Sequence, residues 1–199
     1  IPLRLVGSEM CIRDRFPLGD YPAGSAQSLH LIAETMKRVA ANRRFGIGDP
    51  DFVSVPIEGF LSKKIAQDMA NDISVTVAKP TEKILPLDAV PYESRETTHF
   101  SIVDHSGNAV STTYTLGYSF GSGLVVAGTG ILLDNQLRNF YHQIPGHANA
   151  LEPGKRVIST MTPTLLFNPK GELYIVTGTP GGGRIHNILL QVLINVVDY

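Results

Sequence analysis

Tryptophan is absent from these 199 residues, and cysteine occurs once, as Cys11. A lone thiol excludes an intramolecular disulfide framework and leaves the redox compartment open. No apolar run approaches the ~18 residues that a bilayer-spanning helix needs, so no membrane segment is expected in this chain. Neither sign of charge is in excess: 17 Lys and Arg stand against 18 Asp and Glu. That balance gives no footprint for nucleic acid or for an anionic surface. The histidines (His30, His99, His105, His142, His147 and His186) show no metal-ligand spacing, and no metal or organic cofactor is expected. The opening IPLRLVGSEMCIRDR lacks the long apolar core and small-residue cleavage site of a signal peptide. Residues 1–15 read as a non-native leader and are set aside from the fold. At the other end NVVDY interrupts an apolar run that reads as an unfinished helix, so the chain is expected to be a fragment.

What is present suffices for a core, since 43% of the residues are hydrophobic and 18% charged. In SAQSLHLIAETMKRVAA, Leu29, Ile32, Ala33, Met36, Val39 and Ala40 recur at helical spacing, and Ser25 is placed to cap the helix. A turn-rich GIGDPDFVSVP follows, then a second amphipathic helix over 57–73, with Leu61, Ile65 and Met69 every four residues. Residues 74–96 carry three prolines and several charges without a stable period, and read as an exposed linker. Loops of that length inside a compact domain are usually functional or disordered. From Thr97 the texture changes to strand-like alternation broken by HSGN, FGSG, AGTG and TPGGG. PTLLF and ELYIVTG flank Asn168-Pro169-Lys170-Gly171 as a hairpin, and Ile185–Tyr199 reads as a buried helix. Helices, then strands, then a helix suit an α+β arrangement, with helix layers packed on antiparallel sheet.

The segment 95–117, RETTHFSIVDHSGNAVSTTYTLG, concentrates Thr97, Thr98, Thr112, Thr113 and Thr115 in one hairpin. A register centred on Ser106 pairs Val103 with Ala109, Ser101 with Ser111, His99 with Thr113 and Thr97 with Thr115. Opposed Cβ atoms lie ~5 Å apart, so the last two hydroxyls can meet; a one-residue slip would part them. Two readings stand. Threonine is common in strands, and Thr–Thr pairs stabilise them. Alternatively, the linker places the Glu96–Thr97 bond where loop becomes strand. Cleavage there would give Thr97 a free α-amine of pKa about 7.7–8.0, able to activate the adjacent hydroxyl as a nucleophile. His99 would share the Thr97 face or simply pack in the strand.

TTHFSIVDHSGNAVSTTYTLGYSFGSG resembles the start of the small subunit of gamma-glutamyltransferases, which belong to the N-terminal-nucleophile hydrolases. LHLIAETMKRVAANRR, GDPDFVSVP, GILLDNQLRNF, PGKRVISTMTPTL and TGTPGGGRI resemble family segments in the family's order, so the resemblance covers residues 18–199. It implies an αββα sandwich formed from one precursor that cuts itself before Thr97. Residues 16–96 would be the end of the large subunit and 97–199 the first part of the small one. The partners implied are a small γ-glutamyl substrate and the remainder of both subunits, including an arginine for the substrate carboxylate. The setting implied is periplasmic or secreted.

The resemblance also assigns residues. Thr97 would attack and Thr115 would orient or polarise its hydroxyl. Gly181 and Gly182 would form the oxyanion hole, each donor worth about 3–4 kcal/mol in such sites. A phosphate loop is the rival for these glycines, but no Gly-Lys-Ser/Thr follows. Ser159 and Thr160 match a hydroxyl pair for the substrate α-carboxylate, although alone they read as turn or cap residues. Gln136 matches a position that helps hold the α-amino group. Two residues depart from the family pattern: Gly117 stands for the usual Asn, and Asn139 for the usual Asp that pairs with the substrate ammonium. The loop from Tyr141 to Ile158 is shorter than in members with a lid. Related acylases acting on glutaryl groups, which lack that amine, are therefore the first alternative, and an inert member or fragment the second.

Overall fold

The computed structural model describes residues 3–84 and 96–199. The leader residues set aside above form a helix, α1 (Leu3–Arg13), packed against the helices that follow. Ile12 is buried in this core, and so is Glu9, whose carboxylate oxygens find no hydrogen-bond partner. Burial pushes the Glu9 carboxyl up to about 8. It also pushes the neighbouring His186 imidazole down to about 3. Burial thus favours the neutral forms of both Glu9 and His186 at neutral pH, and the Arg43 guanidinium is the charge that acts on the pair.

Helix α2 (Ala26–Gly46) starts at Ser25, whose hydroxyl accepts from the Ser28 amide at 3.2 Å. Its buried stripe is rotated from the expected one. Leu29 is exposed, whereas Leu31, Glu34, Arg38 and Val39 are buried. The displacement has an electrostatic cause. Arg38 bonds the Glu34 carboxylate at 2.8 Å and that of Asp72 at 2.7 Å, and Lys79 also bonds Asp72. This network draws a polar edge of α2 inward and ties down the first residues after position 72.

The second helix is not continuous as expected over 57–73. A single turn, α3 (Ile57–Phe60), is followed by α4 (Lys63–Asn71), because the Ser62 hydroxyl accepts from the Ile65 amide and begins a new helix. Leu61 and Ile65, expected inside, are exposed, while Ala66 and Ala70 are buried. Small side chains let α4 approach α1 closely. Within the linker, Thr81–Lys83 forms a 3-10 turn; residues 85–95 lie outside the described residues.

Strands β1 (Thr98–Val103) and β2 (Ala109–Tyr114) pair antiparallel in the expected register, with His99 opposite Thr113 and Ser101 opposite Ser111. The Asp104 carboxylate fixes that register by accepting from the amides of Ser106 and Asn108 at 2.8 and 2.9 Å. Strands β3 (Thr164–Phe167) and β4 (Leu173–Thr177) form the second expected hairpin, where Asn168 accepts from the amides of Lys170 and Glu172. The end of β4 lies over the face of the first hairpin. Ser111 donates to the Thr177 carbonyl at 2.8 Å, and a Cβ on Gly178 would meet the His99 ring at 2.2 Å. Only glycine permits that approach. His99 is therefore a packed strand residue, bonded to Thr113 and Ser101 and held below the ordinary imidazole pKa by burial.

Helix α5 (Ile185–Val197) buries Ile185, Leu189, Leu190, Leu193 and Ile194 against α1 and its neighbours. No helix among the described residues is long and apolar enough to cross a membrane. The opposite face of the first hairpin is open: Phe100, Ile102, Val110 and Tyr114 are 42–57% exposed. Contiguous apolar surface of this kind is normally covered. Expressed by itself, the 199-residue chain is expected to bind an apolar dye such as ANS and to aggregate. A monodisperse, dye-silent monomer with a cooperative melt would refute this.

Candidate active site

The hairpin register carries Thr97 and Thr115 to the same end of the first sheet, just outside the paired strands. There the Thr115 hydroxyl donates to the carbonyl oxygen of Glu96 at 2.6 Å and accepts from the Gly117 amide at 2.9 Å. The carbonyl of the Glu96–Thr97 peptide thus has a hydroxyl donor in place. Gly117 has φ +88°, and a Cβ there would lie 3.3 Å from Asn135. Asn is among the few side chains that tolerate positive φ, which makes glycine an intelligible substitute at this position.

A backbone bond from the Asn135 amide to the Leu116 carbonyl, 2.8 Å, brings the next segment to the hairpin end. Asp134 accepts from the Gln136 amide at 2.7 Å and starts a 3-10 turn, Gln136–Asn139. On it, Asn139 donates to the Gln136 side-chain oxygen at 2.8 Å, while its own Oδ1 is a buried acceptor without a donor. Across the cleft, Ser159 accepts from the Met161 amide at 3.1 Å, which leaves the serine proton available to an anion. Thr160 spends its proton on the Gly182 carbonyl at 2.9 Å, so the two hydroxyls are not equivalent.

Gly181 and Gly182, with φ +139° and +57°, lead through a 3-10 turn into α5. Amides at such a helix start favour negative charge. One cleft is lined by Thr97, Thr115, Gly117, Gln136, Asn139, Ser159, Thr160 and Gly182. Gly181 sits just behind Gly182, against Ile188, and is not among the lining residues. Two lining residues gave no signal in the sequence, Arg43 from α2 and Arg138 from the 3-10 turn. Arg138 lies 4.1 Å over the Tyr118 ring and donates to its hydroxyl at 2.9 Å. The cleft therefore has two guanidinium groups and, among the described residues, no carboxylate in its lining. Among those residues no three His, Cys, Asp or Glu side chains gather as a metal site.

The pair of threonines at a hairpin end faces a glycine turn that opens a helix, on an α+β fold of the N-terminal-nucleophile type that is present here in part. The family profile described as Gamma-glutamyltranspeptidase matches residues 5–199, and the chain belongs to that family. The glutathione hydrolase proenzyme of Escherichia coli (strain K12) is 42% identical over 197 residues, covering 94% of this chain and 34% of its own. That of Pseudomonas aeruginosa is 43% identical over 184 residues, covering 88% and 32%. The cephalosporin acylase structure from Bacillus halodurans superposes with a TM-score of 0.79 at 27% identity, over 98% of this chain and 34% of that one. The chain thus spans about a third of the length of these relatives.

Proposed function

We propose that the protein containing this chain hydrolyses or transfers γ-glutamyl amides such as glutathione through Thr97, after cutting itself at Glu96–Thr97. The observation that carries this is the 2.6 Å bond from the Thr115 hydroxyl to the Glu96 carbonyl, with Thr97 in the same cleft. In self-cleavage the Thr97 hydroxyl attacks the Glu96 carbonyl carbon, and Thr115 donates to the oxygen that gains charge. The proton of the Thr97 hydroxyl passes to the departing nitrogen as the C–N bond breaks, leaving an ester and a free α-amine; water then hydrolyses the ester, freeing the Glu96 carboxylate and restoring the Thr97 hydroxyl. Residues 16–96 and 97–199 fall into separate subunits on this reading, each lacking part of its length.

In turnover the α-amine takes the proton of the Thr97 hydroxyl as its oxygen attacks the γ-carbonyl. Amides of Gly181 and Gly182 would stabilise the oxyanion. The proton passes to the departing amine, and water or an acceptor amine then releases the acyl group. Gln136 and Asn139 would hold the α-amino group of the acyl donor, and Ser159 and Thr160 the α-carboxylate on the same carbon. No step calls on a cofactor.

A second reading, an amidohydrolase for glutaryl-type acyl groups, is favoured by one feature. Asn139 supplies a neutral acceptor, and the cleft is cationic. Charge-assisted bonds are about twice as strong as neutral ones, so the absent carboxylate is worth roughly 1 kcal/mol toward a substrate ammonium. The full-length enzyme is therefore expected to discriminate only modestly between γ-glutamyl and glutaryl anilides. Asn139→Asp should shift kcat/KM toward γ-glutamyl by several-fold to about tenfold. A parent enzyme with an overwhelming γ-glutamyl preference that Asn139→Asp leaves unchanged would remove Asn139 from the amine site.

A further inference from the structure

We propose that Asn149 is a positioning residue that fixes the separation of the two walls of the cleft. The inference rests on the reading that Gln136–Asn139 and Ser159–Thr160 grip the α-amino and α-carboxylate groups that share the donor's α-carbon. Asn149 touches neither substrate nor nucleophile. It is fully buried near the middle of the loop from Tyr141 to Ile158, and each of its polar groups is engaged.

Its backbone amide donates to His147 Nδ1 at 3.0 Å, and its carbonyl accepts from the Tyr141 amide at 2.9 Å. Its side chain spans the walls. Nδ2 donates to the carbonyl of Asn139 at 2.8 Å, and Oδ1 accepts from the amide of Ile158, next to Ser159, at 3.2 Å. One planar amide thus sets the distance between the turn that ends at Asn139 and the irregular segment that carries Ile158, Ser159 and Thr160. The stack of the His147 ring on Tyr141, 4.0 Å between centroids, stiffens the loop that presents it. The two polar groups on the donor's α-carbon are then met by partners already at the right spacing. Small displacements of such partners can cost a hundredfold in rate.

The test is Asn149→Asp in the full-length precursor. The carboxylate still accepts from Ile158 but opposes the Asn139 carbonyl, so the walls separate. Burial against a carbonyl raises the pKa of the new acid. The protonated acid can donate again, so low pH should restore the spacing. Self-cleavage should persist, showing that the variant folds. KM for γ-glutamyl anilide should rise about tenfold near pH 9 while kcat falls less, and should recover toward the parent value near pH 6. The parent profile controls for titration of His147 and of the substrate. KM within twofold of the parent throughout, or a parallel loss of kcat and KM effects without recovery at low pH, overturns the proposal. If Asn149→Asp is not processed, Asn149→Ser, which shortens the bridge without adding charge, must show the same rise in KM. Failure of both variants to yield processed enzyme assigns Asn149 to folding alone and also overturns it. A processed parent that turns over neither γ-glutamyl nor glutaryl anilide instead refutes the functional reading, and this inference falls with it.

Discussion

Full-length precursor carrying Thr97→Ala is expected to run as one uncut chain and to turn over no γ-glutamyl anilide. Alanine removes the oxygen that must attack the Glu96 carbonyl, and without the cut no α-amine is released to serve as base. Both steps fail for one reason, so the loss should reach at least about a thousandfold. The Thr115 donor to Glu96 remains in the variant, but it polarises a carbonyl that nothing attacks. Mass spectrometry of the parent should show a small subunit beginning Thr97-Thr98-His99-Phe100. Cleavage of the Ala variant at that bond would show that Thr97 is not the agent, while an uncut but fully active parent would separate catalysis from processing.

The second large effect is on stability, at Asp49 and Arg156. The Asp49 side chain is 1% exposed and that of Arg156 62%. The guanidinium meets the carboxylate at 2.6 and 3.0 Å, and the Arg156 amide adds a third bond at 2.7 Å. These bonds hold the Asp49 carboxyl far below the usual carboxylate range, against the opposing effect of its burial. Because the folded pKa is depressed, the contribution is complete above the ordinary carboxylate value of about 4 and is lost as pH falls below it. Arg156→Ala strands a buried charge, which is worse than losing the pair. The full-length protein with Arg156→Ala should therefore melt several degrees below the parent at neutral pH. Adding Asn at position 49, as in Asp49→Asn with Arg156→Ala, should recover part of the loss. The gap between single and double variant should close in acid. A double variant that melts at or below the single one at neutral pH would show that the buried charge is not what costs stability. On the proposed division, the pair also joins the two subunits, with Asp49 in one and Arg156 in the other.

Much of the first hairpin was legible because its signals are local. Alternation fixes the face of each residue, and the polar turn around Ser106 fixes the centre, so the opposition of His99 to Thr113 followed by counting. The second hairpin and the cap at Ser25 were legible for the same reason. The helix expected over 57–73 was not, because apolar spacing suggested a continuous turn while the Ser62 hydroxyl competes for the Ile65 amide. Leu29 and Ile65 were expected inside and lie exposed, because the Arg38 network and the alanine face of α4 determine which sides turn inward.

By itself the sequence determined the pair of threonines, the glycine turn, the hydroxyl pair and the family that contains them. Each depends on residues close together in the chain, where covalent geometry and turn chemistry act directly. Only the tertiary structure decided that these segments share one cleft, that Thr160 gives its proton to Gly182, and that Arg43 lines the same wall. It alone placed Asn149 between Asn139 and Ile158 and Asp49 beneath Arg156, the latter across 107 positions of sequence. Such contacts arise from the packing of distant segments and from the demand that buried polar groups find partners, and neither leaves a periodic mark on the chain.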